Sequence, residues 1–487
     1  MSIDLSAGTG RNLTMLLDFY ELTMSNGYLV NGMGDRVVVF DMFFRNIPDS
    51  GGFAIFAGLE QLIHYLKAMV FTEEDIAFLR EKKLFAEPFL QYLLDFRFAC
   101  DVWAFAEGTP VFPNEPIVVV RGPVIQAQLI ETMLLLSINH QSLIATKANR
   151  IYRAAEGRPI MEFGSRRAQG YDAAVYGARA AYIGGCVATS CTLAGQEFGI
   201  PAMGTMAHSW VQLFDSELEA FERYARLYPD NCTLLVDTYN VAASGIPNAI
   251  KVFDKVILPS GHRPKAVRID SGDIAYLSKR AREMLDAAGY SDVQIVATNS
   301  LDEYIIRDLL IQGARVDAFG VGEKLITSKS EPVFGGVYKL VAALDGQGNY
   351  TPKIKVSETV EKITNPGFKR AFRFFSRETG KAIADYITHH DEQAPQGEPI
   401  TLFAPNAIWK RKRVFGYEAV PLLAPIFEGG RCVYTPPPLA QVRDYSFAQI
   451  DRLWDEVKRL ERPSRYYVNL SSSLWETKQK LLLEDDG

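Results

Sequence analysis

A chain of 487 residues, 48% hydrophobic and 23% charged, carries enough apolar material for a large buried core. Its net charge of −6 argues against a general nucleic-acid surface. Five scattered cysteines without a C-x-x-C pair indicate neither a zinc site nor a disulfide framework.

Residues 1–10 show no basic or apolar leader pattern. The most apolar long stretch, 117–150, is broken by Arg121, Glu131 and Lys147, too often for a bilayer span. Reduced thiols in the cytoplasm are expected. The pattern over 12–30 predicts a helix with Asn12 as its cap. Val37–Phe40 and Met42–Phe44 read as a strand, with helices near 58–69 and 73–96. Val102–Phe105 and Ile117–Val120 read as strands around the turn Glu107-Gly108-Thr109-Pro110, followed by a long helical pattern over 124–155.

After residue 158 the pattern changes to short apolar strand, polar or glycine-rich tip, then helix. Seven such units run from Pro159 to Lys324. They point to a (β/α) barrel, with a doubly wound sheet as the second choice. In either fold the tips at the C-terminal strand ends make the site. The tips are Gly164-Ser165-Arg166-Arg167, Thr189-Ser190, the stretch around His208, Asp237-Thr238, Asp270-Ser271-Gly272-Asp273, Thr298-Asn299-Ser300 and Gly320-Val321-Gly322-Glu323-Lys324. Past Leu340 the chain turns at Asp345–Asn349, is basic over 355–370, and reads as short strands and loops over 371–435. Helical spacing follows from Phe447 to Leu460. Three segments result: 1–150 α+β, 151–345 barrel, and 346–487 an extension packing on the other two.

The tips carry the unusual chemistry. Gly320 and Gly322 allow backbone N–H groups to approach a phosphate, or simply make a tight turn. Arg166 and Arg167 suit a diphosphate or carboxylate, or a solvated helix start. Arg268, Asp270 and Asp273 fit a structural ion pair as readily as a site. His208, in the small-residue run Gly204–Trp210, reads either as a reactive imidazole at a strand-to-helix turn or as a packed or surface histidine. Together they favour an anionic, phosphorylated substrate with Mg²⁺ carried in on it. The six histidines are not spaced as metal ligands.

Six short motifs in order resemble the nicotinate phosphoribosyltransferase family. They are Asp18–Met24, Phe43–Pro48, Glu162–Gly170, Gly204–Trp210, Arg268–Asp273 and Gly335–Leu340. The resemblance implies an irregular (β/α) barrel with an α+β N-terminal domain, and a homodimer with shared active sites. It implies that nicotinate attacks C1 of phosphoribosyl pyrophosphate, giving nicotinate mononucleotide and diphosphate. ATP is the co-substrate, coupled through a phosphohistidine at His208. Phe163 and Tyr20 would stack on the pyridine ring, Tyr20 and Asp18 reaching in from the other subunit. Arg268 and Thr205 would contact nicotinate. Arg166, Asp270, Gly320, Gly322 and Thr327 would hold the phosphates, although Glu323-Lys324 departs from the smaller, neutral pair of some relatives. Arg167, Ser190, Ser209, Asp273, Asn299 and Glu323 complete the candidate binding set, and His208, Arg268 and Asp270 the catalytic one. The absence of an acidic residue from Gly184 to Thr192 implies the acid rather than the amide as substrate. Two other readings stand beside this one: a barrel lyase using Lys324 as a Schiff-base amine, and a non-catalytic nucleotide sensor.

Overall fold

Six short apolar runs pair side by side in one parallel sheet of a computed structural model: β1 (Ile160–Glu162), β2 (Ala188–Thr189), β3 (Thr233–Leu235), β4 (Ala266–Ile269), β5 (Gln294–Ala297) and β6 (Ala318–Val321). The structure describes residues 11–359, 362–393, 399–405 and 407–484. The leader reading of residues 1–10, and parts of the 355–370 and 371–435 readings, lie outside the described residues. The strand order is β2-β1-β6-β5-β4-β3, the cyclic order of a barrel opened between β2 and β3. Helices cover the sheet, so both strand faces are apolar. Leu234, Leu235, Val267, Ile269 and Ile295 are fully buried beside Phe221, Ala225, Ala281 and Leu285. Burying each large aliphatic side chain contributes about 1.5–3 kcal/mol.

The expected strand before His208 is reduced to one parallel bridge, Thr189 with Ala202, next to β2. Pro201 has no N–H for a ladder, and residues 201–204 are exposed. The strand expected to start at Gly184 also begins later. The helix Tyr171–Gly184 runs through that position, and Gly185 ends it at φ 131°, leaving only Ala188–Thr189 extended.

The chain forms two compact units: Ile144–Pro332, which holds the parallel sheet, and Met1–Leu143 together with Val333–Gly487. The N- and C-terminal segments, set apart at 150 and 346 by the sequence, therefore share a unit. The reason is strand pairing: Val37–Phe44 lies between Gly336–Leu344 and Val118–Pro123 in one seven-stranded antiparallel-paired sheet. That sheet continues through Asp101–Ala104 to Ala424–Glu428. A second sheet in the same unit orders Tyr417–Pro421, Lys369–Ser376, Ala382–His389 and Val468–Leu470.

The first helix starts at Phe19 rather than at residue 12. Asp18 and Glu21 form a capping box that fixes this start. Asn12 instead donates to the Val70 carbonyl and accepts from Thr14 N–H. The pattern over 124–155 resolves into Val124–Gln128 and Glu131–Ala154, and the helix expected at 447–460 lies at Leu439–Asp451. Among the described residues no helix is long and apolar enough to cross a membrane.

Candidate active site

The strand tips of β3 to β6 bring a connected set of polar side chains together. Arg268 occupies β4, and its Nη1 donates a short hydrogen bond to Thr205 Oγ1. Its Nε is buried without a hydrogen-bond partner among the described residues. Burial pulls this guanidinium below its ordinary range, while Asp270 and Asp237 oppose the change. Asp270, just past β4, accepts from the Thr298 hydroxyl on the β5 tip. Its backbone N–H donates to Asp237 Oδ2 at 3.0 Å, and the Ser271 hydroxyl donates to the same oxygen at 2.6 Å. Asp237 Oδ1 is buried without a partner among the described residues.

His208 is the first residue of the helix His208–Leu213. One side of its ring meets Thr238, with Nδ1 3.1 Å from Oγ1. The other meets Asp270, with Nε2 3.8 Å from Oδ2. The side chain is 40% exposed, so it is held yet open to a reactant. That exposure sets aside a packed histidine and leaves the surface and the reactive readings side by side.

Phe163 follows β1 and lies against β6. A methyl group on Gly320 would sit 2.6 Å from its ring and 2.7 Å from Thr298 Cγ2, and one on Gly322 would sit 2.8 Å from the Phe163 carbonyl oxygen. Both glycines thus serve close packing of the Phe163 segment on β6. Beneath Phe163, Glu162 is fully buried and accepts from Thr189 Oγ1 at 2.6 Å and from Gly164 N–H. Burial raises its carboxyl above the ordinary value, opposed by those two donors. Thr298, Asp237 and Thr238 were named as tip residues without a role, and Glu162 was not singled out as a site residue. The signal for Glu162 was a carboxylate inside the apolar run Ile160–Phe163.

The remaining candidates make contacts of their own or are exposed. Asp273 caps the helix Ile274–Ala287 by accepting from Tyr276 N–H at 3.0 Å. Arg167 pairs loosely with Glu323 at 3.8 Å, and Lys329 bonds the same carboxylate at 2.8 Å. The Lys329 hydrogen bond holds Glu323 below its ordinary range. Thr327 donates to the Glu323 carbonyl at 2.8 Å, closing the short helix Glu323–Ile326. Arg166, Ser190 and Ser209 are exposed at their tips, and Asn299 is exposed with φ 85°. Lys324 donates to Asp302 at 2.6 Å, and Asp302 also caps the helix Glu303–Ile311. A Schiff-base amine must be neutral and open to a carbonyl, which this pairing opposes. Asp18 caps the first helix in the other unit, and Tyr20 is 44% exposed on it.

A curled parallel sheet whose tips gather an arginine, two aspartates and a partly exposed histidine defines an α/β-barrel enzyme for an anionic substrate. Comparison with known proteins narrows the class. Residues 15–139, 159–342 and 368–478 match, in turn, the N-terminal domain of nicotinate phosphoribosyltransferase, the nicotinate phosphoribosyltransferase family, and its C-terminal domain. Nicotinate phosphoribosyltransferase of Bacillus subtilis is 42% identical over 97% of this chain and 96% of its own length. The Homo sapiens protein of the same name is 32% identical over 94% and 95%. The crystal structure of human nicotinic acid phosphoribosyltransferase superposes with a TM-score of 0.85 at 30% identity, covering 95% of this chain and 99% of that one. The chain belongs to the nicotinate phosphoribosyltransferase family. It is an enzyme that converts nicotinate to nicotinate mononucleotide in NAD biosynthesis.

Proposed function

We propose that the tips of β3 to β6 form the site where nicotinate attacks C1 of phosphoribosyl pyrophosphate, and that ATP hydrolysis is coupled to this transfer through His208. The observation that carries the reading is the placement of His208 between Thr238 and Asp270, in the cluster that also joins Asp270 to Thr298.

As the bond to diphosphate breaks, positive charge develops on the ribose. Catalysis then rests on positioning the pyridine nitrogen and balancing charge. Phe163, fixed against Gly320, supplies a flat apolar wall for the ring. Arg268, with a buried Nε lacking a partner, supplies charge-assisted donors for the carboxylate. Thr205, already bonded to Arg268, orients it. In this reading Asp270 is the carboxylate that offsets charge on the ribose. Exposed Arg166 and Arg167 serve the phosphates, with Ser190, Ser209, Asn299 and Thr327 as polar groups around them. Mg²⁺ arrives as part of the substrate, on phosphoribosyl pyrophosphate or ATP. Asp237, with its unpartnered buried oxygen, and Asp270 are the carboxylates that would hold it.

The working form in this reading is a homodimer in which Tyr20 and Asp18 complete the partner's site. A cytoplasmic setting fits five free thiols. Incubation with γ-labelled ATP tests the coupling. The wild type takes up an acid-labile, base-stable phosphate and the His208→Ala variant takes up none, while retaining slow ATP-independent transfer. Label persisting on the variant removes His208 from the role.

A further inference from the structure

A cavity of about 480 Å³ lies in the unit formed by Met1–Leu143 and Val333–Gly487. None of the tip residues above lines it. Its walls include Trp103, Arg121, Phe368, Arg370, His390 and Leu423. The volume falls within the range of small-molecule sites, roughly 300–1,000 Å³, and exceeds the need of a single six-membered ring.

The local sequence explains the walls. Trp103 pairs with Val119, and Asp101 with Arg121, across adjacent antiparallel strands. Side chains alternate along a strand, so these four project from one face of the seven-stranded sheet. Opposite them stands the entry to the strand Lys369–Ser376. His390 N–H donates to the Phe368 carbonyl at 2.9 Å, which holds the imidazole flat on the Phe368 ring at 4.5 Å and 17°. Trp103 lies 5.5 Å from the same ring.

The charges are uneven. Among the described residues that line the cavity none is acidic. Lys369 is neutralised by Asp41 at 2.8 Å. Arg121 donates through Nε and Nη2 to Asp101, while Nη1 reaches Tyr350 Oη at 3.4 Å, a long contact with donor capacity to spare. Arg370 is exposed and has no carboxylate partner among the described residues. Trp103 and His390, packed on the buried Phe368 ring, stand beside a fixed guanidinium and the exposed Arg370, which together match a planar ring that carries a phosphate.

We propose that this cavity is a second binding site, for a mononucleotide, with the base among Trp103, Phe368 and His390 and the phosphate on Arg370 and Arg121. Such a ligand has two sources, a purine nucleotide or a pyridine nucleotide such as the reaction product, and both carry the same recognisable groups. Isothermal titration of the intact protein with adenosine monophosphate, nicotinate mononucleotide, adenosine and inorganic phosphate separates them. Three variants accompany the wild type: Arg370→Glu removes the exposed cation, Leu423→Trp fills the cavity, and Arg268→Ala disables the tip site. A binding event for either nucleotide that survives Arg268→Ala, and weakens at least about tenfold in both Arg370→Glu and Leu423→Trp, supports the site. The nucleotide giving that event names the source. Three results overturn the proposal: no such event for either nucleotide, an event insensitive to both cavity variants, or inorganic phosphate binding as tightly as the nucleotides. Transfer activity that stays intact in Arg370→Glu and Leu423→Trp keeps this result separate from the assignment of the tip site.

Discussion

Gly320 shows at the scale of one residue how the candidate site depends on close packing. A methyl group there would meet the Phe163 ring and Thr298 at distances no Cβ tolerates. Gly320→Ala is therefore expected to displace the Phe163 ring and raise KM for nicotinate at least about tenfold, with the fold retained. Steady-state kinetics beside a circular dichroism spectrum check this, and an unchanged KM would remove Phe163 from the ring site. Individual residues were legible where they broke a local pattern. Glycines and charges after apolar runs marked Arg268, Asp270, Gly320 and His208 as tips. The contacts of Glu162 and of the tip residue Thr298 were not legible, because their partners, Thr189 and Asp270, lie on other strands or tips. Asp273 illustrates the converse. Its spacing from Arg268 suggests a site, yet its carboxylate is already used as a helix cap.

Single elements were read well where hydrophobic period and length agreed, as for the helix Leu59–Ala68 and the strand Val37–Phe44. The misplaced boundaries have local causes: Pro201 for the strand before His208, Gly185 for β2, and the Asp18–Glu21 capping box for the first helix. That capping box places Tyr20 in the first turn of the helix Phe19–Val30, with its ring half-exposed. Burial and the neighbouring Glu131 both push its hydroxyl above the usual range, so it stays a neutral ring across working pH. If Tyr20 completes a partner's site, mixing Tyr20→Ala with His208→Ala subunits restores part of the ATP-dependent activity, because a mixed dimer keeps one intact site. Absence of recovery, with subunit exchange confirmed, would mean that each chain builds its site alone.

For the whole molecule, the pairing of Val37–Phe44 with Gly336–Leu344 was invisible in the sequence. Strand pairing over such a distance leaves no local pattern, whereas the barrel repeat did, because each unit closes on its neighbour. Stability of the unit that holds this pairing should depend on pH through Glu21. Burial raises its carboxyl to about 7, although Thr132 and the Asp18 N–H oppose the shift. One carboxylate oxygen is buried without a partner among the described residues, as suits a protonated acid. The folded state therefore binds a proton that the unfolded chain releases near pH 4.5. Stability from this group is full below that value and falls as pH rises towards about 7. Glu21→Gln should flatten this slope in urea unfolding measured between those limits. An unchanged slope would place Glu21 outside the titration.

The most direct test of the tip site is its choice between acid and amide. Arg268 offers charge-assisted donors that a carboxylate uses fully and a neutral amide leaves partly unpaired, a difference of roughly 1.5–3 kcal/mol. The ratio of kcat/KM for nicotinate to that for nicotinamide, measured on one preparation of wild type and of Arg268→Gln, reads this directly. That difference predicts a ratio of roughly 10- to 150-fold in the wild type, collapsing in the variant. Equal values for both substrates in the wild type, or a ratio untouched by Arg268→Gln, would contradict the assignment of Arg268 to the nicotinate carboxylate.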